Sequence, residues 1–506
     1  MSFLSLFFFS RRRAGDRGRV LFVSGLCLLA VTATQSLAAA ERQPNVIVIL
    51  TDDLGYSDVG AQGVAADVQT PHLDRLAREG VRCTSGYVTA PQCSPSRAGL
   101  VTGRYQQRFG IDTIPDCPLP LEAVTLAERL HSVGYSCGMV GKWHLDPGPL
   151  SRKWARQHLP DVRTGPNGRL RIPPEVALEY FPHRQGFQHY FVGAQHRYFA
   201  NIPLEEGDTP DSGKWIETRR FRVDVQSDAA VAFLKQTHEK PFFLYLSYYA
   251  PHVPLEATEK YLARFPGEMP ERRRHALAMI AAVDDGVGRI LSTLDERGLS
   301  RDTLIVFTSD NGAPLKLTKE DVPVEVSGAT WDGSLNDPLT GEKGMLAEGG
   351  IRVPFLLRWP AVLPAGRVYE RPVSTLDIAA TAVAAAGLPH DSELDGVDLV
   401  PFLSGRRDDD PHQALYWRFW NQAAVREGNW KYLKASNQAE FLFDLAADPG
   451  ERTNLLDRHG EVAGRLRRRL AEWSRDLIPA GLPETPLNNQ EVNWYRHYFG
   501  VSKAEK

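Results

Sequence analysis

The chain has 506 residues, 42% hydrophobic and 24% charged, with a formal charge of −3. That is an ordinary globular composition, and its mild acidity excludes nucleic acid as the main partner, since phosphate binding needs a basic stripe. Five cysteines in this length exclude a disulfide scaffold, although one bridge stays open in an oxidising compartment.

Residues 1–40 read as a signal peptide for export to the periplasm or the exterior. Arg11, Arg12, Arg13, Arg17 and Arg19 form a basic flank, residues 20–33 are mostly apolar, and Ala38, Ala39 and Ala40 are small enough for cleavage. Ser24, Gly25 and Thr32 interrupt the apolar run, which is too short for a stable membrane span. The arginine triplet hints at twin-arginine export. Cys27 fits lipoprotein processing poorly because Leu26 precedes it.

The run at 45–50 is continuous, apolar and rich in β-branched residues, as expected of a strand buried on both faces of a parallel sheet. It ends at Asp52-Asp53. Thr70-Pro71 caps a helix that stops at Gly80, and Thr125 begins another that stops at Gly134. Further buried strands are expected at 136–140, 241–249 and 303–308, with a long helix over 275–294. This alternation predicts an α/β domain with a large, mostly parallel central sheet flanked by helices. Such sheets carry functional groups at the carboxyl ends of their strands. Asp52, Asp53, Lys142, His144, Asp310 and Asn311 all sit at such ends.

Residues 145–220 are rich in Arg, Pro, Gly and His with poor periodicity, and read as long loops forming a substrate rim. His183, His189, His196 and Arg197 fall there, as substrate contacts or as plain surface. Near Pro401 the α/β rhythm stops. Short strands at 414–419, 422–426, 430–434 and 441–444, then a helix at 461–477, predict a small antiparallel sheet-and-helix domain. The expected division is therefore 1–40 signal, 41–400 catalytic domain and 401–506 closing domain.

The chemistry concentrates in a few places. Carboxylates and an amide oxygen at two strand ends (Asp52-Asp53, Asp310-Asn311) are hard ligands suited to calcium or magnesium; alone, each pair also reads as an ordinary turn. In Pro91-Gln92-Cys93-Ser94-Pro95-Ser96-Arg97, Pro95 and Ser96 suit a helix start. Cys93 then lies where backbone N–H groups favour an anion, with Arg97 about one turn on. Read from the residues alone, Cys93 is either a thiolate nucleophile or a buried filler.

That segment, followed by Leu100-Val101-Thr102-Gly103-Arg104, resembles the signature of type I, formylglycine-dependent sulfatases, which are arylsulfatase-like members of the alkaline-phosphatase-like superfamily. A second family motif runs from Gly134 and Tyr135 to Gly141-Lys142-Trp143-His144. The Asp52-Asp53 opening, Ala250-Pro251-His252, Asp310-Asn311-Gly312 and Gly341-Glu342-Lys343-Gly344 fall in the family's order. The resemblance extends more weakly to Phe443-Asp444-Leu445, Asp448-Pro449 and Asn454-Leu455.

The resemblance implies a hydrolase of sulfate esters of carbohydrates or aryl groups. A separate formylglycine-generating enzyme would oxidise Cys93. One hydroxyl of the resulting hydrate would attack sulfur, and the other would later help expel sulfate. Asp52, Asp53, Asp310 and Asn311 match the ligands of one divalent cation, usually calcium, with the modified Cys93 beside them. Arg97 matches the support of the formylglycine, and Lys142, His144, His252 and Lys343 match residues that hold sulfate and move protons. His252 is the candidate acid for the leaving oxygen and His144 the candidate base; the two roles could be exchanged. Two alternatives stand beside this reading. One is a phosphate or phosphonate monoesterase of the same superfamily. The other is an inactive glycan-binding homologue, although none of the ten charged or polar site positions is missing.

Overall fold

The apolar run at 45–50 forms β1 (Asn45–Asp52), buried along its whole length. Val46, Val48 and Leu50 enter one core, while Ile47 and Ile49 enter another on the opposite face. A strand covered on both faces needs no polar alternation, which is why its sequence is uniformly apolar. The computed structural model describes residues 43–501 apart from 194, 205–212, 237–239, 327 and 329, so the expected signal at 1–40 lies outside the described residues.

In chain order the remaining large-sheet strands are β2 (Val81–Tyr87), β3 (Ser136–Gly141), β4 (His189–Gly193), β5 (Arg197–Ala200), β6 (Lys214–Glu217), β7 (Phe242–Pro251), β8 (Thr303–Ser309), β9 (Arg352–Arg358), β10 (Arg367–Tyr369) and β11 (Val373–Ser374). Their order is β10-β2-β9-β8-β1-β7-β3-β4-β5-β6, with β11 beside β2. The five strands from β8 to β4 are mutually parallel; antiparallel pairs lie on both flanks. Helices Cys93–Thr102, Leu126–Ser132 and Leu376–Ala385 cover one face through residues such as Leu100, Leu130 and Ile378. Helices Pro71–Glu79, Arg222–Lys235 and Glu271–Glu296 cover the other through Leu73, Phe233 and Leu291. The expected α/β architecture with a mostly parallel centre is the observed one.

The four short strands expected near the end form an antiparallel sheet: β12 (Leu415–Phe419), β13 (Gln422–Glu427), β14 (Trp430–Ala435) and β15 (Ala439–Asp444). Helix Gly460–Trp473 packs on one face through Ala463, Leu466 and Leu470. The other face, with Trp417, Phe419 and Phe443, packs against Tyr87, Leu346 and Val353 of the larger part.

One expectation is corrected. Residues 145–220 are not simply loops: they hold helices Arg152–His158 and Pro174–Leu178 and strands β4 to β6. These strands have four or five residues, too few for periodicity to show, and β4 exists through its parallel pairing with β3. Among the described residues no helix is long and apolar enough to cross a membrane. Cys83, Cys93, Cys117 and Cys137 are all buried, and none is bridged among the described residues.

Candidate active site

Four neighbouring parallel strands deliver one cluster. At their carboxyl ends, in the order β8, β1, β7, β3, stand Asp310-Asn311, Asp52-Asp53, His252 and Lys142. The in-phase pairing of Thr51 with Ser309 sets the two acidic pairs side by side, and Asp310 donates its N–H to the Thr51 carbonyl at 3.0 Å. The register of β7 slips against β1 between Leu50 and Asp52, and that carries His252 to the rim. At the end of β3, Gly141 has φ 101°, and a Cβ there would fall 1.9 Å from the Ser247 carbonyl oxygen. Only glycine fits this approach, which lets Lys142 N–H bond the same carbonyl at 2.8 Å. Asp53 and His144 also take positive φ, 66° and 61°, as strained residues at functional sites often do.

Cys93 is the first residue of helix Cys93–Thr102, after Gln92 at the cap. Burial pushes its thiol up despite Lys142 and Lys343, so it stays protonated and is a poor thiolate nucleophile. Arg97 is fully buried. Its Nε and Nη2 donate to Asp310 Oδ2 at 2.9 and 2.7 Å, and its Nη1 donates to the Lys142 carbonyl at 2.9 Å and to Ser247 Oγ. Burial opposes the Arg97 charge, but Asp310 and Asp52 outweigh it. Arg97 thus holds the end of β8 to the end of β3 beneath Cys93.

Two lysines pair with the two aspartates. Lys142 Nζ donates to Asp52 Oδ2 at 2.5 Å, and Lys343 Nζ donates to Asp53 Oδ1 and Oδ2 at 2.5 and 2.8 Å. Burial alone would raise Asp52, but Lys142, His252, Arg97 and Lys343 hold it well below the usual carboxylate range. Burial likewise opposes the Asp53 charge, but Lys343 and then His252 lower its pKa. His252 Nε2 lies 3.6 Å from Asp53 Oδ2, while its Nδ1 meets the Val253 carbonyl at 2.6 Å, so Nε2 is the nitrogen that faces the cluster. Burial lowers His252 to about 4, against the pull of Asp52 and Asp53. His144 is lowered well below its ordinary value through burial, Lys142 and Arg97, and its buried Nδ1 has no hydrogen-bond partner among the described residues.

The residues fit a hard cation. Asp52 Oδ1 and Asn311 Oδ1 are buried without hydrogen-bond partners among the described residues, and such oxygens are costly unless something binds them. Ligand atoms of Asp52, Asp53 and His252 lie within 4.8 Å of one another. Asp310 is not part of that trio; Arg97 donates to its Oδ2, and the Asp53 N–H donates to its Oδ1 at 3.2 Å. Asp52, Asp53 and Asp310 face Arg97, Lys142 and Lys343, and burial beside Asp52 pushes Asp310 up to about 7, so a divalent cation would make the cluster net positive.

All ten expected site residues therefore lie at or beside one cluster. The sequence reading missed Ser247 and Tyr249. Ser247 accepts from Arg97, and the Tyr249 ring lies under Lys142 Nζ, 4.8 Å from its centroid. Ser247 had a signal, as the polar interruption in an otherwise apolar strand.

The family model described as Sulfatase matches residues 44–388, and the one described as N-sulphoglucosamine sulphohydrolase, C-terminal, matches 341–476. The chain is 30% identical over 536 residues to N-acetylgalactosamine-6-sulfatase of Mus musculus, covering 92% of this chain and 93% of that one. It is 31% identical over 549 residues to steryl-sulfatase of Mus musculus, covering 86% and 84%. Among solved structures, that of Ps i-CgsB in complex with k-i-k-neocarrahexaose superposes with a TM-score of 0.70 at 30% identity, covering 90% of this chain and 97% of that one.

Proposed function

The chain belongs to the sulfatase family, a sulfuric ester hydrolase by that membership, and from this premise we propose that it desulfates carbohydrates through a formylglycine made from Cys93. The observation that carries the reading is a buried cysteine beside Lys142 and Lys343, whose ammonium groups pair with Asp52 and Asp53, while His252 lies against Asp53. The formylglycine hydrate would supply a nucleophile for sulfur that the thiol itself does not. A divalent cation such as calcium, held by Asp52, Asp53, Asp310 and Asn311 beside the modified Cys93, would add positive charge against the sulfate oxygens.

This chain's own groups do the rest. Arg97 fixes the floor under residue 93. Lys142 and Lys343 meet the sulfate oxygens as preorganised charges, which is worth more in a dry site than in water. His252 Nε2 gives a proton to the leaving oxygen, and a bound anionic ester beside it favours the charged imidazole that this requires. His144, with its unpartnered Nδ1, takes the later proton. The carbohydrate substrate is supported by two similar proteins, N-acetylgalactosamine-6-sulfatase and Ps i-CgsB in complex with k-i-k-neocarrahexaose. Residues 1–40 would direct export, and a formylglycine-generating enzyme would act during maturation.

The test is direct. The Cys93 peptide of protein co-produced with such an enzyme should show the mass of formylglycine, and that protein should release sulfate from aryl sulfates and from sulfated saccharides. An unmodified thiol in fully active protein, or faster turnover of the matched aryl phosphate, would overturn the proposal.

A further inference from the structure

Arg222 opens helix Arg222–Lys235 in a stretch that no motif marks, and its side chain is fully buried. Its Nη2 donates to the His252 carbonyl at 3.0 Å and to the Pro254 carbonyl at 2.5 Å. Its guanidinium lies over the Tyr249 ring, 4.7 Å from the centroid. That ring also carries Lys142 Nζ at 4.8 Å, and its centroid is 5.1 Å from that of the His252 ring. A buried guanidinium is costly, and the cost is offset only when its donors are used. Among the described residues Nε and Nη1 have no hydrogen-bond partner, with Glu256 Oε2 4.0 Å from Nη1. The hydrogen bonds the guanidinium does make clasp the backbone on which His252 sits.

We infer that Arg222 is a positioning residue for His252: its charge-assisted bonds to the carbonyls of residues 252 and 254, and its stacking on Tyr249, fix the direction of Nε2. Arg222 touches no reacting atom. The three-residue span between its two acceptors is short, so losing both bonds frees the segment that sets the imidazole's aim. A misaimed acid matters most when the leaving oxygen is a poor leaving group, because a strongly acidic phenol departs without a proton. The inference rests on the reading of His252 as the acid.

Matured full-length protein is assayed on two aryl sulfates, one with a strongly acidic nitrophenol leaving group and one with a weakly acidic phenol. For His252→Ala, kcat should fall at least about tenfold more on the weakly acidic phenol than on the nitrophenol. Arg222→Gln should show the same bias, about three- to tenfold, with KM for the nitrophenyl ester unchanged. An equal loss on both esters for Arg222→Gln, beside a biased loss for His252→Ala, overturns the role of Arg222. An equal loss for His252→Ala overturns the acid assignment itself, and this inference with it. If Arg222→Gln does not give a cooperative thermal transition, Arg222→Lys, which keeps the cation over Tyr249, is read by the same criterion.

Discussion

Lysines beside a thiol ordinarily favour its thiolate. At Cys93 the desolvation of burial outweighs Lys142 and Lys343, so the residue suits a precursor and not a direct nucleophile. Cys93→Ala should therefore lower sulfate-ester hydrolysis by about 10³-fold or more while leaving the thermal midpoint nearly unchanged. A thiolate mechanism would instead let protein left unoxidised at Cys93 remain active. Lys343 neutralises Asp53, and in the proposed mechanism it also meets the sulfate. Lys343→Ala should cost about 10²–10³-fold in kcat; a loss confined to KM would make it only a binding group. The unpartnered Asp52 Oδ1 and Asn311 Oδ1 predict that a strong chelator lowers both activity and melting temperature and that calcium restores both. Calcium at a hundred times its Kd should stabilise by about 2.7 kcal/mol, and no melting shift on adding it would remove the cation from the account.

Elements place these residues by backbone geometry, and one helix also illustrates a pH effect. Asp284, in Glu271–Glu296, accepts N–H bonds from His72 and Leu73 at the start of helix Pro71–Glu79, at 3.1 and 2.8 Å. Burial nonetheless pushes it up to about 7, against those bonds. The folded state thus binds a proton more tightly than the unfolded chain, whose aspartate titrates near about 4, so stability should fall as pH rises from about 4 to about 7. Asp284→Asn should flatten that slope in urea unfolding followed across this window; an unchanged slope would locate the titration elsewhere. Element by element, the long buried strands were legible because a strand covered on both faces leaves a continuous apolar run. Strands β4 to β6 were not, because four or five residues carry no readable period and their stability comes from non-local pairing.

At the scale of the whole molecule, a buried charge cluster joins the small sheet to the large one. Lys431 on β14 lies 2.8 Å from Glu348 and 2.8 Å from Glu451, all with fully or almost fully buried side chains. Glu348 also accepts from the Tyr87 hydroxyl of β2 at 2.5 Å. Lys431→Met would leave buried Glu451 without its cation and Glu348 with Arg352 alone, at 3.4 Å, and should destabilise the fold by about 3–5 kcal/mol in urea unfolding. A change under about 1 kcal/mol would show that the apolar contacts of Trp417, Phe419 and Phe443 suffice to hold the sheets together.

The residue types at the site, their order along the chain and the strands that carry most of them were determined by the sequence itself, because ligands at strand ends follow runs whose apolar pattern is local. Cys93 was marked by its neighbours Pro95 and Arg97, and Ser247 was there to be read as a polar break in an apolar strand. What only the tertiary structure decided is which groups meet. The side-by-side placement of Asp52 and Asp310 needs the pairing of β1 with β8 across more than 250 residues. Arg97 bridging Asp310 to Lys142 depends on where the Cys93 helix lies against the ends of β8 and β3. The grip of Arg222 on His252 joins a helix start to a strand end and leaves no trace in either local pattern. Contacts of that kind are set by packing and register, which are properties of the assembled sheet and not of any segment.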